Sequence, residues 1–419
     1  MSRSVHSSNK FVYAALMALV VVFGFIKLFY LAKVLGVIHF APYILFISLE
    51  AYLIPMLTGG LTEAVFRQYP ILLGRGELND AYRLRNRIFL LIAMIMLIEC
   101  CIAALSSLIL YQVGQVVWAY WVVVSAVHII GTTLFFLVLR EVRSRLKSVE
   151  YALCMCVRLI LDLFVLFFLV SQTDVYSFLL LEACILILVG VVALVRVPSL
   201  RMVGVNSDVK GIFKVGIGMF GASSIGTFAT MGDRVLLGVW LPVQQYSTYV
   251  FNGIVFQAGL SLASIVHQYI QPLVMQKFGS DGCIDSVYGE MLIWFRRLLL
   301  VAIVACPFIW ILYGYAMAIY YPEYSFGLLL FLSFYFSAIL HTGNVFGLLL
   351  IATNQLRVLF LSQILVAAFL CVAMGLGLSF SFDLAYFAIA FFISRLLSLC
   401  FSFTLARRQL KSNNINLSN

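Results

Sequence analysis

Residues 196–214, RVPSLRMVGVNSDVKGIFK, divide this chain in two. They carry four cations, Arg196, Arg201, Lys210 and Lys214, against one acid, Asp208. Val175–Val195 precedes them and Val215–Leu241 follows, both strongly apolar. About 20 apolar residues suffice to cross roughly 30 Å of hydrocarbon as a helix. A basic segment between two such runs reads as a loop on the inner face of a membrane.

The pattern repeats outward in both directions. Of 27 Lys and Arg residues, 22 fall in seven segments: Met1–Lys10, Arg67–Arg87, Arg140–Glu150, Arg196–Lys214, Pro272–Arg297, Thr353–Arg357 and the tail from Ala406. Between them lie twelve expected spans: Phe11–Leu31, Ala41–Phe66, Ile88–Tyr111, Val116–Leu139, Tyr151–Val170, Val175–Val195, Val215–Leu241, Tyr246–Gln271, Leu298–Tyr320, Phe326–Ala352, Val358–Ser379 and Leu384–Leu405. The outer turns hold one cation, Lys33, and apart from Ala32–Phe40 they are very short. Both termini are therefore expected in the cytoplasm. Gly76–Arg87 and Ser280–Arg297 are candidates for short interfacial helices.

Composition agrees. The chain is 64% hydrophobic and 11% charged, with a mean hydropathy of +1.08; soluble domains average about 25% charged. The net charge of +10 does not indicate nucleic acid, because the cations are spread over short loops where topology and anionic lipid account for them. The nine Cys lie mostly within apolar runs, so no disulfide framework is expected.

Six spans on each side of residues 196–214 keep the two halves parallel. A faint repeat fits: Val34-Leu35-Gly36-Val37 then Pro42-Tyr43 echoes Leu236-Leu237-Gly238-Val239 then Thr248-Tyr249. The fold class expected is an all-α polytopic membrane protein, twelve transmembrane helices in two six-helix bundles, residues 1–200 and 201–419, around a central cavity. Gly216-Ile-Gly218-Met-Phe-Gly221 matches G-x-G-x-x-G, but it lies within an apolar helix and not between a strand and a helix. No Gly-Lys pair occurs, so there is no Walker A lysine. No cofactor and no metal site are expected.

Charges inside the spans are the candidates for function. Lys27, Arg158, Arg234 and Arg395 are the cations. Each costs about 2.5–3.5 kcal/mol at mid-bilayer on insertion scales, so each is expected to face protein or water. Several Lys and Arg in a low-dielectric cavity suit a phosphate or pyrophosphate. The acids are Glu50, Glu63, Glu99, Asp162, Glu182 and Asp233. Arg158 and Asp162 share a helix face at i, i+4, as do Glu63 and Arg67, and either pair could neutralise itself. Asp233 and Arg234 are adjacent and point about 100° apart, so they are not one pair. Glu50, Glu99, Asp162 and Asp233 are candidates for coupling to a proton or sodium ion. Asn252, Gln257 and Asn344 are candidates to line a polar cavity, and His128 and His341 are also mid-span. Pro55 and Pro307 fall inside spans, where each can kink its helix.

Asp233-Arg234-Val-Leu-Leu-Gly238, then Tyr246-Ser-Thr-Tyr249 and a polar-dotted span ending Gln271-Pro272, resembles the seventh and eighth spans of bacterial polysaccharide-repeat flippases. These are O-antigen flippases of the Wzx type, within the multidrug/oligosaccharidyl-lipid/polysaccharide exporter superfamily. Val34-Leu-Gly36, Gly59-Gly60-Leu61 and Ala64-Val-Phe66-Arg67 are similar to that family's first two spans. Thr248 and Pro42 stand where the family usually has a Gly before the outer-turn Tyr.

The resemblance implies a fold shared with multidrug and toxin exporters. It also implies that an undecaprenyl-pyrophosphate-linked oligosaccharide is moved between leaflets of the bacterial inner membrane for surface polysaccharide assembly, without enzymatic activity. On that expectation Arg158, Arg234, Arg395 and Lys27 hold the pyrophosphate. Membrane lipids, a polysaccharide polymerase and a chain-length regulator are the partners implied, with no nucleic acid. The alternative is an ion-coupled drug exporter of the same fold. A polysaccharide polymerase is disfavoured, because it needs an outer catalytic loop.

Overall fold

A computed structural model describes residues 2–169, 175–195, 209–281, 285–324, 327–353 and 355–417. Much of the 196–214 loop and the Glu63 side chain lie outside the described residues, and the expected Glu63–Arg67 pair falls there with them. Among the described residues the regular structure is all helix. α1 runs Ser2–Leu57, α2 Leu61–Gly74, α3 Leu78–Gln112, α4 Val116–Ser144, α5 Ser148–Leu169, α6 Val175–Val195 and α7 Val209–Trp240. α8 covers Val243–Asn252, α9 Ile254–Asp281, α10 Asp285–Tyr320, α11 Leu328–His341, α12 Gly347–Ala352, α13 Leu356–Ser379 and α14 Leu384–Leu417. A 3-10 turn, Thr342–Phe346, joins α11 to α12.

The expected spans map onto these helices in order, with α1 supplying two. Nine described helical segments are long and apolar enough to cross a membrane, and one of them, Phe11–Leu57, is 47 residues long. α7 and the α8–α9 pair supply the rest. The exposed residues of α3 and α10 explain the apolarity. Leu97, Ile98, Ile102 and Leu105 on α3 face outward, as do Leu300, Val304, Phe308 and Leu312 on α10. Such faces suit lipid and would drive association in water. The chain is a multi-pass membrane protein.

Several boundaries differ from the sequence reading. The outer turn expected at Ala32–Phe40 is a sharp break at one residue: Gly36, at φ 63 and ψ 179, interrupts an otherwise continuous α1. That conformation is open to glycine and strained for other residues. The second span stops early, because the chain turns at Thr58–Gly60 before α2 begins. Gly76–Arg87 is not a separate interfacial helix: Leu78–Arg87 forms the first turns of α3. Likewise Asp285–Arg297 opens α10, which runs through Pro307 to Tyr320. The eighth span is broken at Gly253 and the tenth at the 3-10 turn.

The chain forms two compact units. One comprises Met1–Leu35 with Leu53–Ile217, the other Gly36–Tyr52 with Gly218–Asn419. Thus α1 contributes to both: it passes to the second unit at Gly36 and returns to the first at Leu53.

The first unit packs α2 onto α3 and α4. Leu61, Val65 and Tyr69 recur every fourth residue on α2, and Ala81, Leu84, Ile88 and Ile92 line one face of α3; all are buried with Leu137 of α4. At the C-terminal end of α4, Glu141 receives two guanidiniums on one oxygen. Arg85 Nη1 lies 3.2 Å and Arg145 Nη2 2.5 Å from its Oε1, and Arg145 Nε donates to the Tyr69 hydroxyl at 3.2 Å. Arg85 near the start of α3 and Arg145 at the end of α4 thus tie α2, α3 and α4 together.

The second unit has an aromatic core. Phe251 stacks on Tyr324 with ring centres 4.0 Å apart, and Phe40, from the second half of α1, meets Phe251 edge-on at 6.1 Å. α11 packs against α9 and α14, which brings the 3-10 turn beside α14.

Candidate functional site

The first unit gathers four charges and a histidine from four helices. Lys27 of α1 donates to Asp162 Oδ2 of α5 at 3.1 Å and to Glu182 Oε1 of α6 at 2.5 Å. Arg158 of α5 lies on the same two oxygens, with Nε 3.3 Å from Asp162 Oδ2 and Nη2 2.7 Å from Glu182 Oε1. His128 of α4 places Nε2 3.7 Å from the other Glu182 oxygen. Phe178 lies under the Lys27 ammonium and Phe135 under the Arg158 guanidinium. Lys27, Asp162, Glu182 and His128 are all buried.

Close approach of α4 to α6 builds this cluster. Gly131 of α4 and Gly190 of α6 each face the backbone of the other helix at distances that leave little room for a side chain. Two carboxylates against two cations make a network that is neutral when His128 is neutral. Burying charges this way is tolerable because each ion keeps close partners. The i, i+4 spacing identifies the Arg158–Asp162 contact. Glu182 and His128 belong to the cluster as well, and their only signal in the sequence is a charged or titratable group isolated in an apolar run.

The second unit gathers charges around the α7–α8 hairpin. Asp233 of α7 accepts from the Tyr249 hydroxyl of α8, with Oδ2 at 2.8 Å. Its Oδ1 has no hydrogen-bond partner among the described residues. Arg234, 5% exposed, donates one long bond, Nη2 to the Gly253 carbonyl at 3.4 Å. Arg395 of α14, 1% exposed, reaches α7. Its Nη2 donates to the Ala229 carbonyl and its Nη1 to the Thr230 hydroxyl at 3.2 Å. Asp233 and Arg395 are also electrostatic neighbours.

The remaining candidates are dispersed. Asn252 of α8 donates to the Thr248 carbonyl at 2.9 Å and accepts from Tyr313 of α10 at 3.4 Å. Asn344 in the 3-10 turn contacts His341 at 3.2 Å and accepts from Ser398 of α14 at 3.3 Å. Gln257 of α9 is half-buried, and Glu50 is buried on the second half of α1. Glu99 of α3 is half-buried and makes no ion pair or hydrogen bond among the described residues. No group of three or more His, Cys, Asp or Glu among the described residues could hold a metal ion.

The four sequence-selected cations therefore differ in what surrounds them. Lys27 and Arg158 bind carboxylates, Arg395 is held by neutral acceptors, and Arg234 retains most of its donors. A guanidinium carries five N–H groups, and a single 3.4 Å bond uses one of them weakly.

Among the described residues the chain is all helical and lipid-faced, with charge clusters buried in two helical units, as a polytopic membrane protein requires. No family profile matches the sequence, and no curated protein matches it. Solved structures do match along nearly the whole length. A mutant form of the Vibrio cholerae MATE transporter VcmN is 15% identical, with a TM-score of 0.69 and 98% of each chain covered. An outward-facing multidrug resistance MATE family transporter of the MOP superfamily is 10% identical, with a TM-score of 0.72 and 96% coverage of each chain. A MOP superfamily transporter from Pyrococcus furiosus, described as having a binding pocket of reverse polarity, is 10% identical at a TM-score of 0.73, again with 96% coverage. The fold of this chain is that of the MATE transporters, twelve helices in two bundles.

Proposed function

We propose that this protein is an alternating-access flippase of the bacterial inner membrane. Its substrate is an undecaprenyl-pyrophosphate-linked oligosaccharide, moved from the cytoplasmic to the periplasmic leaflet for O-antigen or related surface polysaccharide assembly. The observation that carries this reading is the buried Arg234 guanidinium with its donors nearly unspent. A guanidinium this deeply placed, with most of its N–H groups unused, is suited to an anion that takes two of them at once. A pyrophosphate is the part of a lipid-linked saccharide least able to enter hydrocarbon. The resemblance of Asp233–Tyr249 to polysaccharide-repeat flippases points the same way. The fold alone does not fix the substrate: the Pyrococcus furiosus transporter shares it, and its reverse pocket polarity suggests a different function.

Arg234 is the primary anion ligand in this reading and Arg395 a second. Lys27 and Arg158 act through the electrostatics of their cluster. A proton or sodium gradient drives transport, with Glu50, Glu99, Asp162 and Asp233 as the coupling candidates. A polymerase and a chain-length regulator are the partners downstream.

A drug exporter on this fold is the rival, because solved neighbours are multidrug transporters. Cationic drugs need carboxylates free to receive them, and in the first unit's cluster Asp162 and Glu182 already hold Lys27 and Arg158. The test is Arg234→Gln in a strain lacking the chromosomal gene, with surface polysaccharide as readout. Loss of polysaccharide at normal protein level is expected. Normal polysaccharide, or a drug-resistance phenotype on overexpression of the wild type, overturns the proposal.

A further inference from the structure

Three buried polar groups with unspent hydrogen-bonding capacity converge at the α7–α8 hairpin. Among the described residues neither Asp233 Oδ1 nor the Tyr246 hydroxyl has a hydrogen-bond partner. Arg234 makes the single long bond to the Gly253 carbonyl. Asp233, Arg234 and Tyr246 are 1%, 5% and 2% exposed. Buried polar atoms are almost always satisfied in folded proteins, and each exception asks for an explanation.

The hairpin sets their positions. Tyr246, Tyr249 and Gly253 recur at three- and four-residue spacing and so lie on one face of the α8 line. Opposite them on α7 are Gly238, Asp233 and Arg234. A Cβ on Gly238 would lie 3.0 Å from the Tyr246 ring, so the ring rests on α7 one turn beyond Arg234. The Tyr246 phenol is an electrostatic neighbour of both Arg234 and Asp233. Tyr249 holds Oδ2 of Asp233 and so fixes the carboxylate, leaving Oδ1 available.

The chemistry of the three groups selects a ligand class. A bare phosphate would use Arg234 but meet repulsion from Asp233. A cation would reverse that conflict. A glycosyl phosphate satisfies all three: its anion takes the guanidinium, while a neighbouring hydroxyl or amide N–H donates to Asp233 and meets the Tyr246 hydroxyl. We infer that Asp233 Oδ1 and the Tyr246 hydroxyl form a sugar-reading subsite beside Arg234, contacting the saccharide unit attached to the pyrophosphate. The inference rests on the flippase reading and adds a division of labour within it. Arg234 binds what every such substrate shares, and Asp233 with Tyr246 distinguishes a glycosylated lipid from a bare one.

A site built to bond a substrate hydroxyl rejects the analogue that lacks it, because its own buried groups then go unpaired. The test uses the full-length protein in proteoliposomes and two lipids, undecaprenyl pyrophosphate with and without its saccharide. Wild type is expected to prefer the glycosylated lipid. Tyr246→Phe, which removes one oxygen and keeps the ring, is expected to lower that preference about tenfold. Asp233→Asn, which keeps an acceptor for Tyr249 and turns the other position into a donor, is expected to lower it similarly. Arg234→Gln is expected to reduce both lipids alike. An unchanged preference in both Tyr246→Phe and Asp233→Asn, with melting temperatures like wild type, overturns the subsite and leaves the flippase reading standing. A wild type that moves neither lipid overturns both.

Discussion

Gly131 of α4 lies against Ala183 of α6: a Cβ built on Gly131 would come 3.0 Å from the Ala183 carbonyl oxygen and 3.3 Å from Ile187 Cγ1. The two helices meet nearly backbone to backbone, one turn from His128 and one residue from Glu182. The charge cluster therefore depends on a missing side chain. Gly131→Leu is expected to separate α4 from α6 and destabilise the protein by about 1–3 kcal/mol. A fall in melting temperature in detergent, with a lower folded yield, would be the readout. A Leu variant that melts like wild type would show that this contact is slack.

Glu182 receives Lys27 and Arg158 on one oxygen and faces His128 with the other. Glu182→Gln keeps the shape and removes one of the two carboxylates balancing two buried cations. Breaking a buried ion pair from one side costs about 3–5 kcal/mol. The double variant Lys27→Met with Glu182→Gln restores charge balance and is expected to recover at least half of that loss. If the double variant is as unstable as the sum of the two single changes, the network is not coupled in the way its geometry indicates.

The number and order of spans were legible because lipid imposes a simple length rule and basic loops separate the apolar runs. Regularity within a span was not. Gly36, Gly253 and Thr342–Phe346 interrupt helices without a proline, and no local rule separates them from glycines and threonines that stay helical. Of the site, the Arg158–Asp162 spacing and the Asp233-Arg234 dipeptide were visible, since both are local. The partners of Lys27 lie 135 and 155 residues away, and Arg395 reaches α7 across 165 residues. Single-sequence periodicity carries no information at that range. Asp233 and Arg234 point apart, as their adjacency on a helix requires: Arg234 reaches the Gly253 carbonyl, and Tyr249, sixteen residues on, holds the Asp233 carboxylate.

Arg395 joins α14 to α7 through the Ala229 carbonyl and the Thr230 hydroxyl. Thr230→Val removes one acceptor and is expected to cost about 1 kcal/mol. Arg395→Gln loses the charge that faces Asp233 and the bond to Ala229 as well, and is expected to cost more. Arg395→Lys keeps the charge but not the fork. If Arg395 only pins helices, polysaccharide export should fall in step with folded protein across the three variants. Export falling below the protein level in Arg395→Lys would identify a direct contact with the anion.

Leu146 closes α4 at φ 60, in the left-handed region. Its N–H donates to the Arg143 carbonyl at 2.8 Å and the Lys147 N–H to the Val142 carbonyl at 3.3 Å, the paired bonds of a Schellman cap. At the end of α3 the same cap carries Gly114, at φ 82. A left-handed backbone costs a side-chain-bearing residue about 1–2 kcal/mol relative to glycine. Leu146 is exposed, so little packing is lost when it is removed. Leu146→Gly is expected to stabilise the α4–α5 turn by about 1 kcal/mol, less the added freedom of glycine in the unfolded chain. The measurement is the midpoint of denaturation in matched detergent. A lower midpoint than wild type would mean that Leu146 makes contacts with lipid or loop that outweigh its backbone strain.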